Sequence, residues 1–443
     1  MVPIIHYYYG LLKVVRKCAR KYFCKRVKRN SYISCEYSRR NYDLGCTKTN
    51  LKSDFHITGK LTEYSSCHIL LLWGMVMNQE KRLKKKEKNY GIDALRMLAM
   101  FMVTVLHILT RGGILNASGR FTSQYEVGWL LQTMSFCAVN VYALISGYVW
   151  VYAKYRYRNI IELWLQVIFY TLSITILFKV FNPSSVSPVE WIKAIFPIMF
   201  NQYWYFSCYV ALFLFIPLLN IILEKMEKRQ LQFCIGMILF FFSGIQTLFY
   251  SDAFGTNDGY SAIWLMILYL VGGYIRKYGQ SEKGKAAKFF VGYFVMIGLT
   301  WLSKLIIEIF TLHFLGEVRA GNYLISYKSP TIVLAAVCLL LFFEKIRISP
   351  FWEKMIRVFS PMAFGVYLIH VHPLIFSYLM KDRFTDYVAF PWILEIMAVL
   401  VTAVLINLIC YAIEFIRLKL FEWLHIQQKL DLFEERIKEK IFK

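Results

Sequence analysis

Apolar runs of about 20 residues recur between residues 97 and 416, and this repetition constrains the chain more than any other feature. A helix rises 1.5 Å per residue, so about 20 apolar residues carry it across a hydrocarbon core of ~30 Å. A soluble alternative fails on composition. With 58% hydrophobic and 18% charged residues among 443, too few charges remain to coat a solvated surface of that size. The expected fold is all-α and polytopic. A window of ~19 residues places ten spans at roughly 93–111, 128–151, 160–180, 206–223, 231–250, 260–275, 287–308, 330–344, 361–380 and 390–416.

A net charge of +24 invites a nucleic-acid reading, so the positions of the charges decide. They lie between the apolar runs. Alternate loops carry fifteen Lys and Arg on one side, from Lys154 to Arg357, against seven on the other, from Arg111 to Arg383. That is the positive-inside pattern, and it predicts ten transmembrane helices with both termini inside and no nucleic-acid partner. The ten cysteines fall as five before residue 75 and five single ones within apolar runs, with no CxxC. Neither a disulfide framework nor a metal site is expected.

Residues 1–88 form a basic extension without sustained helical periodicity, and residues 1–74 hold 14 Lys and Arg. They lack the order of basic, apolar and small-residue segments of a signal peptide. Natural translation is expected to start at Met75 or Met77, with Lys81–Lys88 as the anchor of the first span. At the other end, 417–443 is expected to be a basic amphipathic tail on the inner membrane surface.

Ionisable groups inside a span are costly, so each is a candidate for function. The first span carries Asp93, Arg96 and His107. At 100° per residue, Arg96 and His107 lie about 20° apart around the axis and about 16 Å apart along it, with Asp93 on the same face. Imidazole is the side chain best suited to move protons near neutral pH. An ion pair at the boundary with one satisfied core histidine accounts for the same residues. Other polar groups read as structural: Lys304 and Glu308 as an ion pair one turn apart, Asn140 and Ser146 as interhelical hydrogen-bonding groups.

The stretch Gly91–His107, with ten residues between Arg96 and His107, resembles the first span of the acyltransferase-3 family of membrane acyltransferases. Three further segments are similar in the same order: NVYALISGYVW (Asn140–Trp150), NQYWYFSCYVALFLFIPLLN (Asn201–Asn220) and FGVYLIHVHPLIF (Phe364–Phe376). The likeness covers about 90–416 and is strongest to the bacterial branch that O-acetylates capsular and exopolysaccharide sugars. It implies a multi-pass protein of the bacterial plasma membrane that moves acetyl from acetyl-CoA to a hydroxyl of a polysaccharide or lipid-linked sugar, with no metal. It also implies that His107 is essential and Arg96 its companion. From the residues alone, Asp93 reads either as the group that orients or neutralises Arg96 or as a helix-start residue. The family's Arg-x-x-Arg motif is replaced here by Lys154-Tyr-Arg156-Tyr-Arg158.

CoA is a polyanion, and guanidinium forks suit phosphate, which makes Arg96, Arg156 and Arg158 the candidate donor-binding residues. His107 fits either a general base or a covalent acyl carrier. Trp204, Tyr205, Tyr367 and His370 are the candidate acceptor-binding residues, with interfacial anchoring open for the first two and packing for His370. The rival functions are a transporter or flippase of lipid-linked saccharide and a non-catalytic membrane scaffold. No GxSxG, Walker loop or zinc motif points to hydrolase, ATPase or metalloenzyme chemistry.

Overall fold

The computed structural model describes residues 89–279 and 286–441, so the basic segment 1–88, with its expected start site and anchor, lies outside the described residues. Among the described residues all regular structure is helical. The first four long helices are α1 (Tyr90–Thr110), α2 (Ser123–Phe136), α3 (Ala138–Trp150) and α4 (Tyr157–Phe181). A short α5 (Pro188–Ile195) precedes α6 (Trp204–Lys225), α7 (Lys228–Leu239), α8 (Ala262–Tyr278) and α9 (Ala286–Leu315). There follow α10 (Pro330–Lys345), α11 (Pro350–Phe359), α12 (Ala363–His370), α13 (Pro373–Met380), α14 (Trp392–Trp423) and α15 (Ile426–Ile441).

Each of the ten apolar runs falls on helix, but length divides them. Seven helical stretches are long and apolar enough to cross a membrane, or eight when the bent α11–α13 stretch counts as one span. The runs at 260–275 and 330–344 form α8 and α10, with 17 and 16 residues. At 1.5 Å per residue these reach only about 25 Å. Both are enclosed by other helices: Trp264, Leu265, Leu268, Ala335, Ala336 and Leu340 are fully buried. Helices wrapped in protein need not match the thickness of lipid.

The bundle is built around α1 and the α2–α3 stretch. Two thirds of the apolar window of each is buried, 67%, against 22% for α9 and 28% for α14. Those two outer helices turn Val291, Ile306, Leu405 and Leu408 outward, each more than half exposed. On a soluble protein such a band would drive aggregation; here it faces lipid. Inside, α3 and α8 cross so closely that a Cβ on Gly147 would lie 1.9 Å from the Tyr269 carbonyl oxygen. Small residues at a crossing are the means by which membrane helices pack without a hydrophobic driving force.

Two features of the ends bear on function. Asn89 caps α1, accepting from the Gly91 N–H at 2.9 Å and donating to the Glu344 carbonyl at 3.0 Å, which ties the start of α1 to the end of α10. At the other terminus, residues 417–423 continue α14, and the chain turns at His425, which has φ of 54°. Helix α15 then runs back along α4, where Gln427 donates to Glu162 at 3.2 Å.

Candidate functional site

Helix α1 presents its three ionisable groups as the 3.6-residue period requires. Near its start Arg96 Nη1 meets Asp93 Oδ1 at 2.9 Å and donates to Ser360 Oγ at 3.3 Å. The carboxylate therefore neutralises and orients the guanidinium. The Arg96 carbonyl accepts from the Tyr142 hydroxyl at 2.9 Å, which links this pair to α3.

Three turns further on, His107 meets a residue 263 positions away. Its Nδ1 lies 3.0 Å from His370 Nε2, and His370 Nδ1 lies 2.6 Å from the Val366 carbonyl oxygen. A carbonyl only accepts, so in neutral rings His370 carries its proton on Nδ1 and accepts on Nε2. His107 must then donate from Nδ1. Its Nε2 is left as the lone-pair nitrogen, with Phe376 packed edge-on at 5.0 Å.

The placement of His370 depends on a break in the backbone. Pro373 lacks the N–H that would continue α12, and the stretch ending at His370 bends by 59° into α13. Tyr203 donates to the Leu368 carbonyl at 2.8 Å and so holds the last turn of α12. From the other side Glu414 presses against Gly365, where a Cβ would lie 2.4 Å from its carboxylate. That fully buried carboxylate accepts from Gln166 at 3.0 Å, Tyr170 at 2.5 Å and Arg417 at 2.6 Å, so its charge is matched.

A cavity of about 60 Å³ lies beside His107. Met100, Val103 and Leu106 of α1 and Val139 of α3 give it an aliphatic side, while Tyr142, Trp204, Tyr205, Tyr327, Phe364 and Tyr367 make the rest aromatic. Of the residues proposed from sequence, His107, Trp204, Tyr205 and Tyr367 line this space. His370 does not; it stands behind His107 and is 2% exposed. Sequence reasoning missed Tyr142 and Phe364, although both lie inside the quoted motifs, and it had no signal for Tyr327.

Arg156 and Arg158 are elsewhere. Both pair with Asp431 of α15, and Arg156 also bonds Glu434 at 2.8 Å. The hydrogen bond from Arg158, then that from Arg156, holds the Asp431 carboxyl below the usual carboxylate range. A separate buried cluster surrounds Lys304, whose Nζ is 2.9 Å from Glu308 and 3.2 Å from Glu126, with Tyr125 donating to Glu308 at 2.9 Å. Asn140 joins helices as expected, donating to the Tyr327 carbonyl at 2.7 Å and accepting from Trp264 at 3.0 Å. Ser146 bonds the Tyr142 carbonyl of its own helix at 2.9 Å. Among the described residues no three His, Cys, Asp or Glu side chains gather as a metal site.

Fold and site together define a multi-pass helical membrane protein with a polarised histidine beside a partly open, largely aromatic cavity. The family model described as an acyltransferase domain matches residues 89–412, nearly the whole described bundle. The chain belongs to the acyltransferase-3 family and is a membrane acyltransferase. No curated protein and no solved structure matches it.

Proposed function

We propose that the protein transfers acetyl from acetyl-CoA to a hydroxyl of a cell-surface or exopolysaccharide sugar at a bacterial plasma membrane, with His107 as general base. The observation that carries this reading is the hydrogen-bond chain from the Val366 carbonyl through His370 to His107, which leaves His107 Nε2 unprotonated at the cavity. The acceptor hydroxyl gives its proton to Nε2 as its oxygen attacks the thioester carbonyl. A C–O bond forms, the C–S bond breaks, and the imidazolium returns the proton to the departing thiolate. During that step Nδ1–H keeps its bond to His370, so the positive charge is shared with a partner already in place.

The backbone carbonyl of Arg96 accepts from Tyr142 of the cavity wall, and its guanidinium suits the phosphates of the donor. Arg156 and Arg158 take part only by exchanging Asp431 and Glu434 for phosphate. The aliphatic patch of Met100, Val103, Leu106 and Val139 suits a short acyl group, and the aromatic side suits a sugar.

The test uses the full chain reconstituted in lipid with acetyl-CoA labelled on its acetyl group and a bacterial glycan fraction stripped of its esters by mild alkali. Alkali-labile label on the glycan is the expected result. Label that stays on CoA while glycan crosses the membrane would instead establish the transporter.

A further inference from the structure

Two aromatic residues of the cavity lining are in ring contact with an exposed loop residue, and that contact points to how the acceptor is held. Tyr260, on the loop between α7 and α8, is 40% exposed, yet its ring lies 4.6 Å from Trp204 and 4.9 Å from Tyr327. Trp204 and Tyr327 both line the cavity and stand near parallel, 25° apart with centroids at 6.3 Å. We propose that Tyr260, Trp204 and Tyr327 form an aromatic clamp that holds the acceptor's pyranose ring by its C–H face. This rests on the acyl-transfer reading, to which it adds the ring geometry of the acceptor and two residues, Tyr260 and Tyr327.

Flat rings with hydroxyl tips present an apolar face and a polar edge, which matches a pyranose; an alkyl chain asks for the aliphatic packing found on the opposite side of the cavity. The clamp is also rigid. Phe136 stacks beneath Tyr327 at 4.6 Å, and the Tyr327 carbonyl is fixed by Asn140. The next residue, Lys328, is 5% exposed and joins the two loops, with Nζ 2.9 Å from Asp258 and 2.8 Å from the Ser251 carbonyl. Its own carbonyl accepts from Ser243 at 2.5 Å. Asn257, Asp258 and Gly259 in succession have positive φ, and a Cβ on Gly259 would lie 2.4 Å from that of Tyr327. Burial opposes the charge of nearby Asp252, but hydrogen bonds from Thr256 and Asn257, with Lys328 close by, hold its carboxyl below the usual range. Strained backbone kept in place by buried polar bonds is a costly way to hold a loop, and it fixes a binding surface before the ligand arrives.

Saturation-transfer NMR on the full chain in nanodiscs tests the clamp without turnover. The probes are the methyl β-pyranosides of glucose, galactose and N-acetylglucosamine, with mannitol as an open-chain control. At least one pyranoside should receive saturation at its ring C–H protons and mannitol none. Tyr260→Ala should weaken that pyranoside about fivefold and Tyr260→Phe should retain it, with acetyl-CoA affinity and unfolding temperature unchanged in both. No pyranoside above mannitol, or Tyr260→Ala binding as the wild type does, overturns the clamp. Failure of the acyl-transfer reading shows separately, as wild-type protein that moves no acetyl.

Discussion

Two of the polar clusters inside the apolar bundle differ in where their hydrogen bonds end. Around Lys304 every strong partner belongs to the cluster itself: the ammonium sits between Glu126 and Glu308, under the ring of Tyr125 at 4.0 Å, and Tyr125 returns to Glu308. The chain that starts at the Val366 carbonyl passes through His370 and stops at His107, beside open space. A closed cluster holds helices together. A chain whose last nitrogen is unspent at a cavity can accept a proton from something that enters.

Removing the terminal member of the open chain should have the largest effect. His107→Ala should lower acetyl transfer at least about 1000-fold, the scale of a lost general base. The unfolding temperature should hardly move, because His107 is only half-buried and lines a cavity already present. A variant that unfolds early, or that keeps a tenth of wild-type activity, would put His107 with the structural groups.

The closed cluster should behave in the opposite way. Lys304 is fully buried, so Lys304→Met strands two carboxylates in the bundle. The cost should be about 3–5 kcal/mol of stability, as for other buried pairs that lose one member. Turnover per folded molecule should stay near wild type. Adding Glu126→Gln and Glu308→Gln should recover most of the lost unfolding temperature; a kcat that falls with stability intact would move this cluster into the chemistry.

His370 is buried like Lys304 yet belongs to the open chain. His370→Phe removes the acceptor that fixes the His107 proton on Nδ1, so kcat should fall by about 10 to 100-fold with little change in KM. His370→Gln offers a carbonyl oxygen to that same proton and should restore part of the rate. Equal losses in both variants would mean that His370 acts by packing alone.

The two clusters also differ in what the sequence discloses. Lys304 and Glu308 are one helical turn apart, so their pairing can be read directly, whereas Glu126 joins from 178 residues away and leaves no local trace. His107 and Arg96 stand out because charge in a span is rare. The partner of His107 is legible only as a second histidine in a motif, since no rule of spacing brings residue 370 to residue 107. Tyr142, Phe364 and Tyr327 are less legible still, because an aromatic ring on a membrane helix or loop reads alike whether it meets lipid, protein or a cavity. Apolar runs identify helices well, yet they cannot tell α8 and α10, enclosed by neighbours, from spans that must match lipid. The pairing of the tail is not legible for a related reason. Its net basic charge hides Asp431 and Glu434, the two acids that engage Arg156 and Arg158.

That exposed clasp sets the lower limit of the comparison, as a polar cluster in contact with water. Asp431 is depressed by Arg158 first and Arg156 second, so its contribution to docking α15 is present at neutral pH and lost as pH falls through the depressed value. With the Asp431 side chain 40% exposed and that of Arg156 34% exposed, salt should screen the pairs, unlike those at Lys304. Amide protection across residues 426–441, taken relative to the intrinsic exchange rate at each pH, should therefore fall a few-fold on acidification below the carboxylate range, on raising salt to about 0.5 M, where the screening length is a few ångströms, or in Asp431→Asn at neutral pH. Exchange around Lys304 should not respond to salt. If α15 is equally protected in all these conditions, its docking rests on apolar contacts such as buried Leu430 rather than on the arginines. In that case Arg156 and Arg158 would be free to meet phosphate without displacing the tail.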